Sequence, residues 1–357
     1  MTFAEIYLTY GIMPRKARID APGALHHIIV CGIERKDIFR DSIDYSNILD
    51  RLETVLTDTR TPCFAWALMP NHFHLLLRTG YATISTVMRR LLTGYAQQFN
   101  RRHRRHGPLI QNRFKSILCE YDSYFLELVR YIHLNPIRAG IVKDLRSLKS
   151  YPYNGHGVVL GKLKVEWQDV SSVLEMFSNQ LGPARRSYTA FVAKGIELGR
   201  RSDLTGGGLV RSAGGWSALK MMRSTAQRMM GDERILGSST FVEDVLKQAD
   251  EEYEWRTLAK AKGITIEFII NRVSRELDIQ PVLIRSGGRQ RNLSRARSIV
   301  CWLCIDKLKE SGRDMARRLG MSPSAVSKAL PRGRSDKRCE SIWEDILKTT
   351  DNLSGEK

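Results

Sequence analysis

Apolar and polar positions divide the first 160 residues into short strands and amphipathic helices. Residues 25–31 and 114–120 are apolar runs of strand length. Residues 63–69 and 72–78 are two further strands, separated by the tight turn Pro70-Asn71, and they predict a hairpin.

Three segments between these strands have apolar residues at helical spacing, residues 46–56, 84–99 and 123–134. Asp122 or Ser123 can cap the third helix, and Pro136 should end it nearby because the residue before proline avoids helical geometry. Strands with interposed helices predict an α+β domain over residues 13–160, an antiparallel sheet with helices on one face.

The rest of the chain changes character twice. Residues 161–215 are weakly patterned and contain Gly206-Gly207-Gly208 and Gly214-Gly215, so we predict a linker region there. Residues 216–347 are largely helical and predict a second domain.

A helix-turn-helix is predicted inside this second domain. Residues 313–319 read as its first helix, Gly320-Met321-Ser322 as the turn and residues 323–330 as the recognition helix. Ser322 can cap that helix and Pro323 suits its first position, leaving Ser324, Ser327 and Lys328 exposed. A plain helical bundle is the alternative interpretation.

The charge balance points to a polyanionic partner. The net charge is +19 and the isoelectric point near 9.9, which favours nucleic acid first, with an acidic membrane surface or mere solubility as alternatives. No apolar stretch reaches the length of a membrane span. The N-terminus lacks the pattern of a secretory signal, and both Met1 and Met13 are candidate translation starts.

The six cysteines follow no disulfide framework, which favours a reducing, cytoplasmic environment. Cys301 and Cys304 have metal-ligand spacing, but no second pair lies nearby. They fall in the apolar helical run of residues 299–308, so we interpret them as core residues.

His72 and His74 are the first candidate for chemistry. Residues two apart on a strand point to the same face, so both imidazoles can approach one metal ion while Phe73 is buried on the other face. Taken alone, the pair fits equally well a strand with two exposed or hydrogen-bonded histidines.

Tyr131 and Asn135 are the second candidate, because residues four apart on a helix share a face. An Asn oxygen can bind a hard divalent ion, and a tyrosine hydroxyl is a possible nucleophile towards a phosphodiester. Asn before Pro136 is also a common helix-ending device, and that interpretation stays open.

Taken in order, these motifs resemble the HUH single-tyrosine transposases, in particular the REP-associated tyrosine transposases. The resemblance covers about residues 13–160. It rests on four segments: Met69 to Leu76 with the histidine pair, Phe99 to Leu109, Gln111 to Lys115, and Tyr131 to Gly140.

The resemblance implies a ferredoxin-like or RRM-like fold and a defined reaction. His72, His74 and Asn135 would bind Mg²⁺ or Mn²⁺. Tyr131 would attack single-stranded DNA containing hairpins of the repetitive extragenic palindrome type, leaving a 5′-phosphotyrosine and a free 3′-hydroxyl.

Other residues compete for these roles. Tyr121 and Tyr124 read better as packing or DNA-contacting residues, because neither has an Asn four residues later. His133 points away from the Tyr131 face, and His27, a position often His in the family, has apolar strand neighbours that favour a structural role.

Several basic residues are candidate DNA contacts, although most charge runs are only solvated surface. In the first domain and its basic leader they are Arg15, Lys16, Arg101, Arg102, Arg113 and Lys115; in the second they are Arg317, Arg318 and Lys328. The segment from Ser294 to Val300 and the helices after it also resemble, more weakly, the duplex-binding domain of the replication initiator DnaA, which implies duplex DNA as a further partner.

These features leave three candidate functions. The first is a metal-dependent DNA endonuclease and strand transferase. The second is a catalytically inactive, sequence-specific DNA-binding regulator. The third, a small-molecule metallohydrolase, fits poorly because such His-x-His sites usually sit on large barrels with further ligands. The sequence leaves open the DNA target, the oligomeric state and which metal is used.

Overall fold

The computed structural model describes residues 23–205 and 232–352, apart from positions 81, 112, 200, 262, 287, 289 and 309, together with residue 19. The chain forms two compact units, Met1–Leu246 and Lys247–Lys357.

The first unit is built on a five-stranded sheet. Its strands are β1 (Leu25–Cys31), β2 (Cys63–Met69), β3 (His72–Arg78), β4 (Lys115–Cys119) and β5 (Ile235–Leu236). The sheet order is β2-β3-β1-β4-β5, antiparallel except for the short β5, which pairs parallel to β4. With one helix after β1 and another after β3, the first four strands form the predicted ferredoxin-like arrangement.

Those two helices cover one face of the sheet. They are α1 (Ser42–Thr59), whose first turn is capped by the Asp41 carboxylate, and α2 (Ile84–Arg102), capped by Thr83. Phe73 and Leu75 of β3 are buried against them in one core.

The opposite face is covered as well, whereas the sequence predicted helices on one face only. Its helices are α3 (Tyr121–Arg138), α4 (Leu145–Ser150), α5 (His156–Val159), α6 (Val170–Glu175) and α7 (Leu181–Lys194). The physical reason lies in β2, where every residue from Cys63 to Met69 is buried, so both sheet faces need an apolar cover.

The predicted linker therefore differs from the structure over its first part. Val173, Tyr188 and Val192 of α6 and α7 are fully buried in the core shared with α3. Residues 170–194 belong to the first unit because their apolar side chains complete that core. Residues 206–215 of the predicted linker lie outside the described residues.

The helix α3 also differs from its predicted end, since it continues through Pro136 to Arg138. Proline removes one backbone hydrogen bond, but the next turn is kept by a 2.8 Å bond from the Ala139 N–H to the Asn135 carbonyl. Gly140, at φ +71°, follows the helix end. Tyr131 and Asn135 thus lie on one uninterrupted helix.

The second unit is helical, as predicted. Its elements are the C-terminal part of α8 (Ser239–Ala261), α9 (Ile266–Leu277), α10 (Pro281–Arg285), α11 (Arg291–Trp302) with a π-turn at Leu303–Lys307, α12 (Gly312–Arg318), α13 (Pro323–Arg334) and α14 (Arg338–Asn352). Cys301 and Cys304 are buried in its core, where burial raises the pKa of the Cys301 thiol to about 12.

The predicted helix-turn-helix is formed by α12 and α13. Ser322 caps α13 by accepting the Ala325 N–H at 3.2 Å, and Gly320 adopts φ +59° in the turn. Ser324, Ser327 and Lys328 are exposed. The helix α13 ends at Arg334 rather than Leu330, and Gly333 lets its backbone approach Ser298 of α11 so closely that an added Cβ would lie 2.0 Å from the Ser298 carbonyl oxygen.

Of the helices described, none has the length and apolarity required to span a bilayer.

A buried polar cluster connects α3 to α5 and α7 through His133, His156 and Tyr188. The Tyr188 hydroxyl lies 2.7 Å from Nδ1 of His133 and 2.8 Å from Nδ1 of His156. Burial, and to a smaller extent the charge of Lys149, lower the pKa of His156 to about 4. His156 is therefore held neutral in the folded unit.

We expect the buried His156 to make the folded first unit less stable in mild acid. Because the folded-state pKa of His156 lies below its unfolded value, its contribution is complete above pH 6.5 and is lost as the pH falls towards 4. From pH 7.5 to 4.5 we expect His156 to account for about 2–3 kcal/mol of the decrease in unfolding free energy. Urea unfolding of wild type and His156→Gln at both pH values measures this, and an equal pH dependence in the two proteins would contradict it.

Candidate active site

The strand β3 sorts its side chains by alternation. Phe73 and Leu75 face α1 and α2, while His72, His74 and Leu76 face the side covered by α3. The two histidines share one face, as the sequence predicted, and their ring centroids are 5.5 Å apart.

A third histidine, His27 of β1, joins them. The register pairs His27 with Leu76 and His74 with Ile29, so the two histidines are diagonal neighbours on the same face. Nε2 of His27 lies 2.8 Å from Nδ1 of His74, and Nδ1 of His27 lies 3.0 Å from the Leu204 carbonyl oxygen.

His72 is oriented by the turn before it. Its Nδ1 lies 2.6 Å from Oδ1 of Asn71, and the Asn71 amide nitrogen donates to the Arg35 carbonyl at 3.1 Å. The Arg35 carbonyl accepts only, which fixes the Asn71 oxygen as the atom that faces His72. Nδ1 of His72 is therefore the donor, and its Nε2 keeps a lone pair.

Tyr131 lies directly over this group of imidazoles. Its ring centroid is 5.8 Å from that of His74 and 5.8 Å from that of His27, edge-on to both. The Arg138 guanidinium lies 5.2 Å from the Tyr131 ring and donates to the Tyr131 carbonyl. The structure thus brings together the two elements that the sequence could only place separately.

Asn135 occupies the interior of α3, one turn beyond Tyr131. The alternative in which it serves as a helix-ending turn residue is wrong, because the helix continues to Arg138. Its side chain is 8% exposed, and within the described part of the chain its amide nitrogen has no hydrogen-bond partner. Such an orphaned amide is costly unless something else engages it.

Burial controls the protonation of these groups. It lowers the pKa of His72 and, more strongly, of His74, where the charges of His27 and His72 act in the same direction. Burial also raises the pKa of Tyr131, while the nearby Arg138 charge lowers it in part. The imidazoles are therefore neutral near pH 7, which is the form that binds metal.

The donor set fits a divalent cation. Nε2 of His72 keeps its lone pair, His74 lies on the same sheet face, and the amide oxygen of the buried Asn135 would be the third ligand. This set has two nitrogen ligands and one oxygen ligand, with further coordination positions left open. Mg²⁺ prefers oxygen ligands, so the two imidazole nitrogens suit Mn²⁺ better. Among the described residues no cluster of three or more His, Cys, Asp or Glu side chains is placed to hold a metal. The predicted site therefore needs Asn135 as its third protein ligand.

The predicted DNA-contacting residues of the first unit are distributed over both faces. Lys115 follows the alternation of β4 onto the His27 face, and its charge contributes to the lowered His27 pKa. Arg113 is exposed just before it. Arg101 is exposed at the end of α2, on the opposite face, and Arg15 and Lys16 lie outside the described residues.

Arg102, also predicted to contact DNA, is paired within the protein. Its guanidinium forms ion pairs with Asp41 at 2.6 Å and with the buried Asp44 at 2.7 Å. Its charge is compensated by these carboxylates at the start of α1, and its contact with DNA stays a prediction.

In the second unit the predicted contacts lie within the helix-turn-helix. Arg317 is paired with Asp314 in an exposed pair, and Arg318 lies 3.5 Å from Glu267. Lys328 is exposed and lines a shallow cavity of about 160 Å³ together with Arg297 and Arg332.

Sequence reasoning missed three contributors to the site. The sequence favours a structural role for His27. Its two-residue spacing from Leu25 and Ile29 places all three side chains on the same face of β1. Arg138 follows Tyr131 by seven residues, two helical turns, a spacing that could have indicated it. Leu204 carries no sequence signal, because only its backbone carbonyl is used.

The first comparison with known proteins concerns the N-terminal part. Residues 22–135 match the family model described as "Transposase IS200 like". A solved structure titled "Structure of the REP associates tyrosine transposase bound to a REP hairpin" aligns with 44% of this chain and 94% of its own, at 21% identity and a TM-score of 0.35.

The second comparison concerns the C-terminal part. The chromosomal replication initiator protein DnaA of Wolinella succinogenes is 37% identical over 91 residues, 25% of this chain and 19% of that protein. DnaA of Helicobacter hepaticus is 42% identical over 74 residues, 20% of this chain and 16% of that protein. This chain therefore spans less than a fifth of the length of these curated relatives. Residues 22–135 match the IS200-like transposase family, and the C-terminal part of the chain is similar to DnaA.

Proposed function

We propose that this protein is a metal-dependent endonuclease and strand transferase for single-stranded DNA, a transposase that cuts through a covalent tyrosine intermediate. The main support is the position of Tyr131, whose ring centroid lies 5.8 Å from that of His74, on the sheet face that His72 shares. The match of residues 22–135 to IS200-like transposases supports the same reaction.

In the proposed reaction Oη of Tyr131 forms a bond to the phosphorus of the scissile phosphate. The bond from phosphorus to the 3′-oxygen breaks, the phenol proton passes to solvent, and the departing 3′-oxygen takes up a proton. The products are a 5′-phosphotyrosine and a free 3′-hydroxyl. Attack by a 3′-hydroxyl on the phosphotyrosine reverses the step and joins strands.

The protein's own residues supply position and charge. His72, His74 and Asn135 would hold Mg²⁺ or Mn²⁺, which supplies charge neutralisation at the phosphate when bound. Arg138 places a cation beside the Tyr131 ring and favours its phenolate. Lys115 adds positive charge on the face where the DNA backbone would lie.

The test uses single-stranded hairpin DNA taken from beside the protein's own gene. We expect a covalent protein–DNA adduct that survives denaturing electrophoresis with Mn²⁺ and disappears with a chelator. The same sequence as a fully paired duplex serves as control and should give little adduct. If no such hairpin is cut or captured, the proposal fails and the inactive-regulator function takes its place.

A duplex-binding role for the second unit is supported by an independent observation. The exposed face of α13, with Ser324, Ser327 and Lys328, belongs to a formed helix-turn-helix whose sequence is similar to DnaA. We propose that this unit binds duplex DNA near the cleavage site. Gel-shift titration of Lys328→Ala against wild type on duplex fragments from the same locus tests it, with weaker binding expected.

A further inference from the structure

His27 belongs to a hydrogen-bonded chain that begins at the backbone of the 201–205 segment. Nδ1 of His27 meets the Leu204 carbonyl oxygen at 3.0 Å, and Nε2 of His27 meets Nδ1 of His74 at 2.8 Å. All three side-chain nitrogens are buried. These hydrogen bonds therefore connect a fixed backbone acceptor, the Leu204 carbonyl, to His74, one of the predicted metal ligands.

The direction of each hydrogen bond follows from the first acceptor. A carbonyl oxygen only accepts, so Nδ1 of His27 must carry a proton. A neutral imidazole has one N–H, so Nε2 of His27 is left as an acceptor. His74 must then donate from Nδ1, and the lone pair of His74 is confined to Nε2.

This arrangement matches that of His72. There, the Arg35 carbonyl orients the Asn71 amide, and Asn71 accepts from Nδ1 of His72. Two independent backbone carbonyls, those of Arg35 and Leu204, thus leave the same nitrogen, Nε2, unprotonated in both histidines. If His27 only filled the core, the tautomer that it imposes on His74 would not need to be the same as that of His72.

The ring geometry supports a role for His27 at the site itself. Its ring stacks on that of His74 with centroids 5.1 Å apart, and the Tyr131 ring lies edge-on to both. The His27 ring is itself fully buried between these two partners, Leu204 and His74.

We propose that His27 is a positioning residue: with the Leu204 carbonyl it fixes His74 as the Nδ1–H tautomer, so that Nε2 of His74 is ready to bind the metal ion. It would act through His74 and not on the DNA. Hydrogen-bonding partners of this kind change the metal affinity of a site by about 10- to 100-fold. The metal part of this inference rests on the proposed function, whereas the tautomer part does not.

The experiment compares two substitutions in the full-length protein. His27→Leu removes both the acceptor and the donor, while His27→Gln keeps both, since its amide oxygen can accept from His74 and its amide nitrogen can donate to Leu204. His26→Leu is the matched control. His26 is the neighbouring buried histidine of β1, and its Nδ1 faces Ser116 instead.

Two measurements are made on each protein without DNA. Nitrogen-15 NMR of the imidazoles, in metal-free protein, reports the tautomer of His74. Titration with Mn²⁺ alone, followed by electron paramagnetic resonance, reports the metal affinity. We expect wild type, His27→Gln and His26→Leu to keep the Nδ1–H form of His74, and His27→Leu to lose it and bind Mn²⁺ at least about tenfold more weakly.

An unchanged His74 tautomer in folded His27→Leu would overturn the inference, and so would unchanged Mn²⁺ affinity. Equal loss in His26→Leu would also overturn it, because the effect would then be general destabilisation of β1. A wild-type protein that shows the expected tautomer but cuts no DNA would contradict the proposed function alone.

Discussion

Replacing Tyr131 by Phe is expected to abolish the covalent adduct with single-stranded hairpin DNA and to lower cleavage by at least about a thousandfold. The substitution removes only the oxygen that would attack phosphorus, while the ring keeps its edge-on contacts with His27 and His74. Denaturing electrophoresis of end-labelled DNA, with Mn²⁺ present, measures both adduct and cleavage. DNA binding in a gel shift should be nearly unchanged, which separates loss of the nucleophile from loss of the substrate.

Tyr124→Phe is the matched control. Tyr124 lies on the same helix two turns earlier and is also half-buried, with a pKa raised by burial. It should retain wild-type adduct formation. If Tyr131→Phe still forms the adduct, the nucleophile is another residue; if the adduct is then lost in Tyr124→Phe, that residue is Tyr124.

Replacing His72 or His74 by Ala is the substitution with the next largest expected effect. Each variant removes one imidazole from a predicted set of three ligands, so we expect Mn²⁺ affinity to fall by at least about 100-fold and cleavage to fall with it. Calorimetric titration with Mn²⁺ measures the affinity, and the hairpin assay measures cleavage.

His106→Ala controls for the loss of a histidine as such. His106 is exposed in the connection after α2 and is not among the predicted ligands. It should bind Mn²⁺ as the wild type does. If both His72→Ala and His74→Ala keep wild-type Mn²⁺ affinity, the metal prediction is wrong, although Tyr131 could still be tested as the nucleophile without it.

The two units of the chain are similar to different proteins. The first unit matches IS200-like transposases, and the helical second unit is similar to DnaA. The net charge of +19 favours polyanionic partners in general and does not distinguish single-stranded from duplex DNA.

Much of the fold followed from pattern alone. Strand alternation and turn residues predicted the hairpin of β2 and β3, and the cap Ser322 with Pro323 predicted the start of α13. These are local signals, in which each residue's own neighbours set its conformation. The end of α3 was mispredicted because tertiary packing buries Pro136 and outweighs its local tendency to stop a helix.

The amino-acid sequence by itself determined the ingredients of the candidate site: His72 and His74 on one strand face, and Tyr131 and Asn135 one helical turn apart. Spacing within a strand or a helix is set by backbone periodicity, so it can be read from the chain. Only the tertiary structure placed Tyr131 against His74, and brought the Leu204 carbonyl to His27 across 177 residues of sequence. A backbone carbonyl is the same in every residue type, so what it orients is decided by where the fold puts it.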